Sequence, residues 1–362
     1  MLTRAKYSHL TVYQEMPLNA GTPLALVRRS FLTPQDHFFI RTHGSLPLLR
    51  REMYRLVVNG MVQHQLELCY TDLLTRFAQH TITATLMCAG SRRDELAAIR
   101  PIPGKVIWGA DPISTAIWRG VRLSDVLQAA GIGADARYVA FRGLDEAQEK
   151  GAKFHFGSSI RLEKALSPEV LLVYEMNDAP LTPEHGFPLR VLIPGYIGAR
   201  SVKWLQEITL QSEPSSNHFQ ARDYKTFPPD VTEESADWAQ GKTLEEIALN
   251  SIICTPRAGE TRQAGPTSVQ GYAITGAGTP IERVELSING GASWAPASVT
   301  TRTDRWAWCF WEVVLDLPPG DCQLTVRAWD TGGKTQPECA QPLWNFKGYA
   351  NNAWHRVHIY VV

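Results

Sequence analysis

The densest chemistry in the chain is Cys88-Ala89-Gly90-Ser91-Arg92-Arg93, a cysteine followed within five positions by two arginines. The run Thr81 to Leu86 alternates β-branched and apolar residues, so Met87 and Cys88 are expected at the C-terminal end of a strand. A sulfur there, beside guanidinium groups, sits where the thiolate is favoured. Arginines at such a turn also make an anion site. Read from its residues alone, the segment is a candidate thiolate next to a cationic cluster, and the reading stops there. Other chemistries lack their fingerprints. No G-x-G-x-x-G or P-loop is present, and no G-x-S-x-G. The six cysteines, at 69, 88, 254, 309, 322 and 339, include no C-x-x-C pair and no C-x-x-C-H, which argues against a structural zinc site and a c-type haem. His355-Arg356-Val357-His358 offers two imidazoles, but residues three apart on a strand point to opposite faces.

The elements that must position these residues come next. An arm rich in Pro, Arg and aromatic residues runs to about residue 50 and is expected to wrap a core irregularly. Tyr54 to Val58 reads as a strand closed by an Asn59-Gly60 turn. Thr71 to Phe77 has helical spacing, as does Leu123 to Ala130, stopped by Gly131. Leu189 to Ile193 is an apolar strand ending at Pro194-Gly195. Strands and helices in this irregular order argue for α+β rather than a doubly wound sheet. Ser212 to about Glu246 is polar and holds Pro214, Pro228 and Pro229, which suits a linker or a long surface excursion. Beyond it, Val284 to Ile288 alternates into Asn289-Gly290-Gly291, and Leu324 to Trp329 alternates into Asp330-Thr331-Gly332-Gly333. Short strands at this spacing predict an immunoglobulin-like β-sandwich. The expected division is a catalytic domain over 1–246 and a sandwich over 247–362. Tryptophans at 306, 308, 311, 329, 344 and 354 are read mainly as core.

At 362 residues the chain can bury two cores, and its composition, 44% hydrophobic and 20% charged, is that of an ordinary globular protein. Lys+Arg and Asp+Glu both number 36, which gives no support to nucleic-acid or membrane-surface binding. No apolar run approaches a membrane span. Arg28-Arg29-Ser30-Phe31-Leu32 resembles a twin-arginine signal, but Thr33-Pro34-Gln35-Asp36-His37 follows where an apolar stretch is required. A cytoplasmic protein is the expectation, or a periplasmic one if a leader was removed. A disulfide among the last three cysteines stays open, although a chain of this size does not need one.

Taken in order along the chain, several segments closely resemble the sulfite oxidase family. They are Phe38-Phe39-Ile40-Arg41-Thr42-His43, the Cys88 segment with Trp108 and Ile113-Ser114-Thr115-Ala116, Tyr174-Glu175-Met176-Asn177, and His185-Gly186-Phe187-Pro188-Leu189-Arg190. Gly198-Ala199-Arg200, Lys203-Trp204-Leu205, Arg222-Asp223-Tyr224-Lys225 and Asn352 to His358 continue the series. The resemblance implies a molybdopterin-type domain followed by an immunoglobulin-like dimerisation domain, hence a homodimer. It implies molybdenum on a pterin dithiolene with Cys88 as the protein ligand, and a soft thiolate suits such a metal. The pterin and its phosphate would be held by Arg41, His43, Asp145, His185, Arg190, Ser201 and Lys203. Arg41, Arg93, Trp108, Tyr224 and Lys347 would form the substrate cup, and the implied reaction is oxidation of sulfite to sulfate.

Three departures from the family pattern stand out. Lys347 occupies the place of an arginine, keeping the charge but losing the planar two-point grip on an oxyanion. Thr42 and Ser91 replace asparagines. No haem-binding domain is found ahead of residue 30, so the expectation is a chain without haem that passes electrons to an external acceptor, a cytochrome c or oxygen. Reduction of nitrate or a sulfoxide by the same cofactor, and anion binding without catalysis, are the competing readings.

Overall fold

The structure, a computed structural model, describes residues 7–149, 151–300 and 304–362. Among the described residues up to Gln211, the strands form three sheets. A small antiparallel sheet joins Thr11–Gln14, Asn19–Gly21 and Ile40–Arg41. A second is built on the antiparallel strands Gln79–Met87, Ile113–Arg122 and Leu171–Met176, with Ala179–Pro180 and Arg190–Leu192 both on the last of these. The third runs in the order Leu66–Cys69, Arg55–Gly60, Leu205–Gln211, Tyr138–Glu149, Ala152–Arg161, with one parallel pair between Arg55–Gly60 and Leu205–Gln211. Helices are few and short, Leu123–Ala130 being the longest at 8 residues. The α+β expectation holds.

Local chemistry explains the element ends. Leu123–Ala130 stops where Gly131 takes φ 71°, a conformation open to glycine. The helix expected from Thr71 spans Tyr70–Arg76, because the Asp72 carboxylate accepts from the Cys69 N–H at 2.8 Å and opens it earlier. The strand expected to turn at Asn59-Gly60 continues through Gly60, held in register against Leu210.

From Asn250 onward the chain forms a β-sandwich. Its strands lie in the order Asn250–Thr255, Gly265–Ile274, Cys309–Leu317, Ala295–Val299, Ile281–Ser287, Gly320–Asp330, His355–Val361, Thr261–Arg262. Alternation sends Val284, Leu286, Leu324, Val326, Ala328, Val357 and Ile359 inward onto Ile253, Val269 and Trp311. Each large side chain buried this way contributes roughly 1.5–3 kcal/mol. His355 is buried and His358 exposed, on opposite faces as the strand period requires. Cys322 and Cys339 are free thiols, so neither enters a disulfide. Of the C-terminal tryptophans, Trp308, Trp311 and Trp344 are core, whereas Trp306, Trp329 and Trp354 are half-buried.

The polar stretch 212–246 is more than a linker. Its middle folds into the π-helical turn Phe219–Asp223, where the Tyr224 N–H reaches back to the Phe219 carbonyl at 3.2 Å. Arg200 clamps that turn from below, its Nε and Nη2 donating to the Leu244 carbonyl at 2.9 and 2.7 Å and Nη1 to Gln220. The Pro-rich ends lie at the surface while Phe219, Asp223 and Tyr224 are buried.

Candidate functional site

Burial increases along the strand Gln79–Met87, whose last four residues are all buried. The strand therefore carries Cys88 from the surface into the interior. The turn that follows is fixed by backbone bonds: Cys88 N–H to the Pro112 carbonyl at 2.9 Å, Ser91 N–H to Cys88 at 3.0 Å, Arg93 N–H to Gly90 at 3.1 Å. The Gly90 N–H donates to the Cys88 sulfur at 3.4 Å. A Cβ on Gly90 would lie 2.5 Å from the Arg93 guanidinium, so the glycine lets that side chain fold back over the turn.

Two cavities meet at this sulfur. The inner one spans about 650 Å³, part of it open to solvent. Arg41, His43, Cys88, Asp145, His185, Arg190, Ser201 and Lys203 all line it, together with Phe38, Phe39 and Phe156. Every residue expected to hold the cofactor is thus brought to one enclosure. The outer cavity spans about 890 Å³, part of it open to solvent, and is lined by Arg41, His43, Cys88, Arg93, Lys105, Asp223, Tyr224 and Tyr349, with Gln14 and Gln148. Arg41, His43, Cys88 and Tyr224 belong to both.

The inner cavity is cationic and short of counter-charge. Burial pulls the Arg190 guanidinium down to about 9. Burial, with Arg190 adding to it, pulls Lys203 down to about 7. His185, buried beside the same two cations, falls to about 3 and is neutral. Arg190 donates to the His185 and Ser201 carbonyls at 3.1 and 2.9 Å, and Lys203 to the Glu184 carbonyl at 2.7 Å. Arg190 Nε and Asp145 Oδ1 are buried with no hydrogen-bond partner. Burial raises Asp145 to about 6. Buried polar atoms without a partner inside a cavity are open to a ligand or water. Cations facing carbonyls and one weak carboxylate suit a phosphate-bearing polar group, and the aromatic walls suit a flat ring system. The residues present fit a phosphorylated pterin with a metal at its Cys88 end.

The outer cavity is organised by Asp223. Its Oδ1 accepts from Lys105 Nζ at 2.8 Å and Lys347 Nζ at 3.3 Å, and its Oδ2 from the Tyr349 hydroxyl at 3.2 Å. Burial alone would raise this carboxyl, but the two ammonium groups outweigh it and hold it far below the usual carboxylate range. His43 Nε2 and the Tyr224 hydroxyl are 2.8 Å apart. Burial keeps the phenol protonated, pushing it well above its ordinary value, and keeps the imidazole neutral. With the ring proton on Nε2, the phenolic O–H remains available to a ligand. Arg41 Nη1 donates to Asn19 Oδ1 at 3.0 Å. Arg93 donates from Nε to the Lys347 and Gly348 carbonyls at 3.1 Å each, and from Nη1 to Val106 at 2.6 Å.

Two expected cup residues do not reach the cavity. Trp108 lies wholly buried behind it, its ring 4.7 Å from that of Tyr13. It packs with Cys88, Phe38 and Phe39, and its Nε1 is buried with no hydrogen-bond partner. Lys347 is also buried and spends its charge on Asp223. Lys105, from the loop before Trp108, lines the cavity instead. Sequence reasoning missed Lys105, Asp223, Tyr349 and Asn19. Asp223 stood inside a quoted segment, next to Tyr224, and a buried acid between basic neighbours was the available signal. A further cluster of groups that could ligate a metal, His9, Asp36 and His37, lies near the surface and shares no residue with either cavity.

Comparison with known proteins agrees with this architecture. Residues 43–219 match the oxidoreductase molybdopterin binding domain, and residues 241–362 the Mo-co oxidoreductase dimerisation domain. The chain is 40% identical to human mitochondrial sulfite oxidase over 98% of its own length and 66% of that protein's. It is 36% identical to sulfite oxidase of Arabidopsis thaliana, covering 97% of this chain and 94% of the plant protein. An NADH nitrate reductase of Phaseolus vulgaris is 37% identical over 94% of this chain but only 41% of its own length. The sulfane dehydrogenase SoxCD of Paracoccus pantotrophus superposes with a TM-score of 0.79 at 25% identity, covering 95% of this chain and 85% of that one. The fold and site define a molybdopterin-binding oxidoreductase architecture. The chain belongs to the sulfite oxidase family, and spans just under two thirds of the mammalian members it matches.

Proposed function

We propose that this protein oxidises sulfite to sulfate at a molybdenum–pterin group held by Cys88. The observation that carries the reading is the meeting of the two cavities at one sulfur: a ligand-sized enclosure behind it, and an anion-binding vestibule in front. When bound, the group would carry out the oxygen-atom transfer and take up the two electrons released. Cys88 would supply its protein ligand. Arg190, Lys203, His185, Ser201 and Asp145 would hold the pterin and its phosphate by charge and hydrogen bonds. Arg41 and Arg93 would grip the oxyanion from two sides, with Lys105 adding charge at the mouth. The Tyr224 hydroxyl would donate to a substrate oxygen, oriented by His43. Asp223 would keep Lys105 in place and, by repelling anions, ease release of the doubly charged product.

Electrons would leave to a separate acceptor, a c-type cytochrome or oxygen, and two copies would pair through the C-terminal sandwich. The relatives named sulfite oxidase, covered in one case almost end to end, support the sulfite reading over nitrate reduction. The test is sulfite-dependent ferricyanide reduction by protein of measured molybdenum content. Saturable turnover in proportion to metal is the expected result. No turnover by fully loaded protein would overturn the substrate assignment.

A further inference from the structure

The C-terminal sandwich touches the thiolate turn directly. Ala350 N–H donates to the Ala89 carbonyl at 2.9 Å, and Asn351 Nδ2 to the Arg92 carbonyl at 3.1 Å. Lys347 and Gly348 offer the carbonyls that hold Arg93. At the centre of these contacts is Arg92, a side chain with no exposed surface, on a backbone at φ 62°. An L-residue is disfavoured there, so something must hold it.

The guanidinium accounts for the holding. Nε and Nη2 form a two-point bond with the Glu95 carboxylate at 2.7 and 2.8 Å. Nη1 donates to Asn250 Oδ1 at 2.9 Å and the Ala353 carbonyl at 2.6 Å, and Nη2 also to the Trp354 carbonyl at 3.3 Å. An arginine has five N–H donors, and each finds an acceptor here. One acid comes from the helix just after the turn; the other three acceptors come from the sandwich. Arg92 lines neither cavity, whereas its neighbours Cys88 and Arg93 do.

We infer that Arg92 is a positioning residue: it latches the Cys88–Arg93 turn to the C-terminal domain and so sets where the sulfur and the Arg93 guanidinium sit. The domain matched as a dimerisation unit then also completes the metal-binding turn. No other side chain can replace the fork. A lysine brings three donors on a compact head and cannot span a carboxylate and three further acceptors.

The latch rests on the reading of Cys88 as the ligand for its purpose, but its geometry can be tested without metal. In cofactor-free protein, the rate of iodoacetamide alkylation at Cys88 would be followed by peptide mass spectrometry, with buried Cys254 in the same sample as reference. Arg92→Lys should raise the Cys88 rate at least about threefold relative to Cys254. Asn250→Ala, which leaves the arginine but removes one of its acceptors and the Asn250 Nδ2 bond to the Asn351 carbonyl, should raise it by less and serves if Arg92→Lys does not fold. In molybdenum-loaded protein, Arg92→Lys should lower kcat more than it raises KM for sulfite, since the latch moves the sulfur and touches no substrate. An unchanged Cys88 rate in folded Arg92→Lys, or in Asn250→Ala if that alone folds, would overturn the latch. Absence of sulfite turnover in loaded wild-type protein would instead strike the assigned activity, and a raised alkylation rate would still support the latch.

Discussion

The two cavities treat charge in opposite ways. The inner one keeps Arg190 and Lys203 buried against carbonyls, with one carboxylate raised to about 6. The outer one pairs Lys105 at its wall, and Lys347 behind it, with Asp223 and keeps that acid ionised. On the proposed reading, the difference follows from how long each ligand stays. A resident cofactor can supply the missing anion permanently, so its cradle is left unbalanced and gains affinity from that. A substrate comes and goes, and a vestibule of bare buried cations would be costly to fold and would retain its product. Charge balance at the mouth is therefore part of turnover, and charge imbalance inside is part of retention.

The severest way to break this arrangement is at the shared sulfur. Cys88→Ser removes the sulfur that both cavities share and that, on the proposed reading, holds the metal. Molybdenum-dependent sulfite oxidation should fall more than ~100-fold, beyond what changes around a metal's ligands usually produce; a fully active variant with normal metal content would refute the assignment. Next is Tyr224→Phe, which deletes one hydrogen bond to a charged ligand. A loss of ~10–100-fold in kcat/KM is expected, with molybdenum content unchanged. Equal loss of metal and turnover would show that the tyrosine serves the inner cavity instead.

Asp223→Asn tests the balance itself. Freed of the carboxylate, Lys105 and Lys347 should bind anions more tightly, and sulfate should inhibit at about 10-fold lower concentration, equivalent to ~1.4 kcal/mol. Weaker sulfate inhibition would mean that Asp223 organises the lysines more than it repels anions. The inner cavity has a matching test in pH. With Lys203 held near 7, the folded cofactor-free protein binds fewer protons than the unfolded chain between about 7 and the ordinary lysine value of ~10.4. Stability therefore rises with pH across that window, with this group's slope at most about 1.4 kcal/mol per pH unit. Calorimetry at pH 7, 8 and 9 should show the rise in cofactor-free protein and its loss in Lys203→Met. Loaded protein should be flatter, because a bound phosphate favours the charged amine. Identical slopes in all three would refute the charge-starved cradle.

The inner cavity was also the more legible of the two in the sequence. Its residues stand in short segments, Arg41 to His43, His185 to Arg190 and Ser201 to Lys203, whose local pattern carries the resemblance, and all of them converge. The outer cavity shares Arg41, His43, Cys88 and Tyr224 with the inner one, but adds single residues from separate loops. Lys105 follows Pro101, Pro103 and Gly104 in an irregular stretch, and Tyr349 comes from the far domain. No period or motif links them. The N-terminal arm was read as irregular because prolines broke its pattern. Yet Thr11–Gln14 and Asn19–Gly21 pair as a hairpin that docks on Ile40–Arg41, placing Asn19 against Arg41. Two strands of the sandwich, Ile281–Ser287 and Gly320–Asp330, by contrast, followed from alternation into turn residues, since a strand with one buried face writes its period into the chain.

Lys347 gives the finest test of how the two readings of the mouth differ. By sequence it stands in for an arginine and should weaken the grip on sulfite. In the structure its ammonium is buried, points at Asp223 and lines neither cavity. Burial also lowers its proton affinity, which makes it a still poorer direct anchor for an anion. Lys347→Arg should then leave KM for sulfite within about twofold, the range of a change that meets no ligand (under ~0.5 kcal/mol). Lys105→Met should raise KM several-fold by comparison, because that ammonium faces the vestibule. If instead Lys347→Arg lowers KM tenfold, the guanidinium has reached the oxyanion past Asp223, and the vestibule's charge is set by two movable cations rather than one.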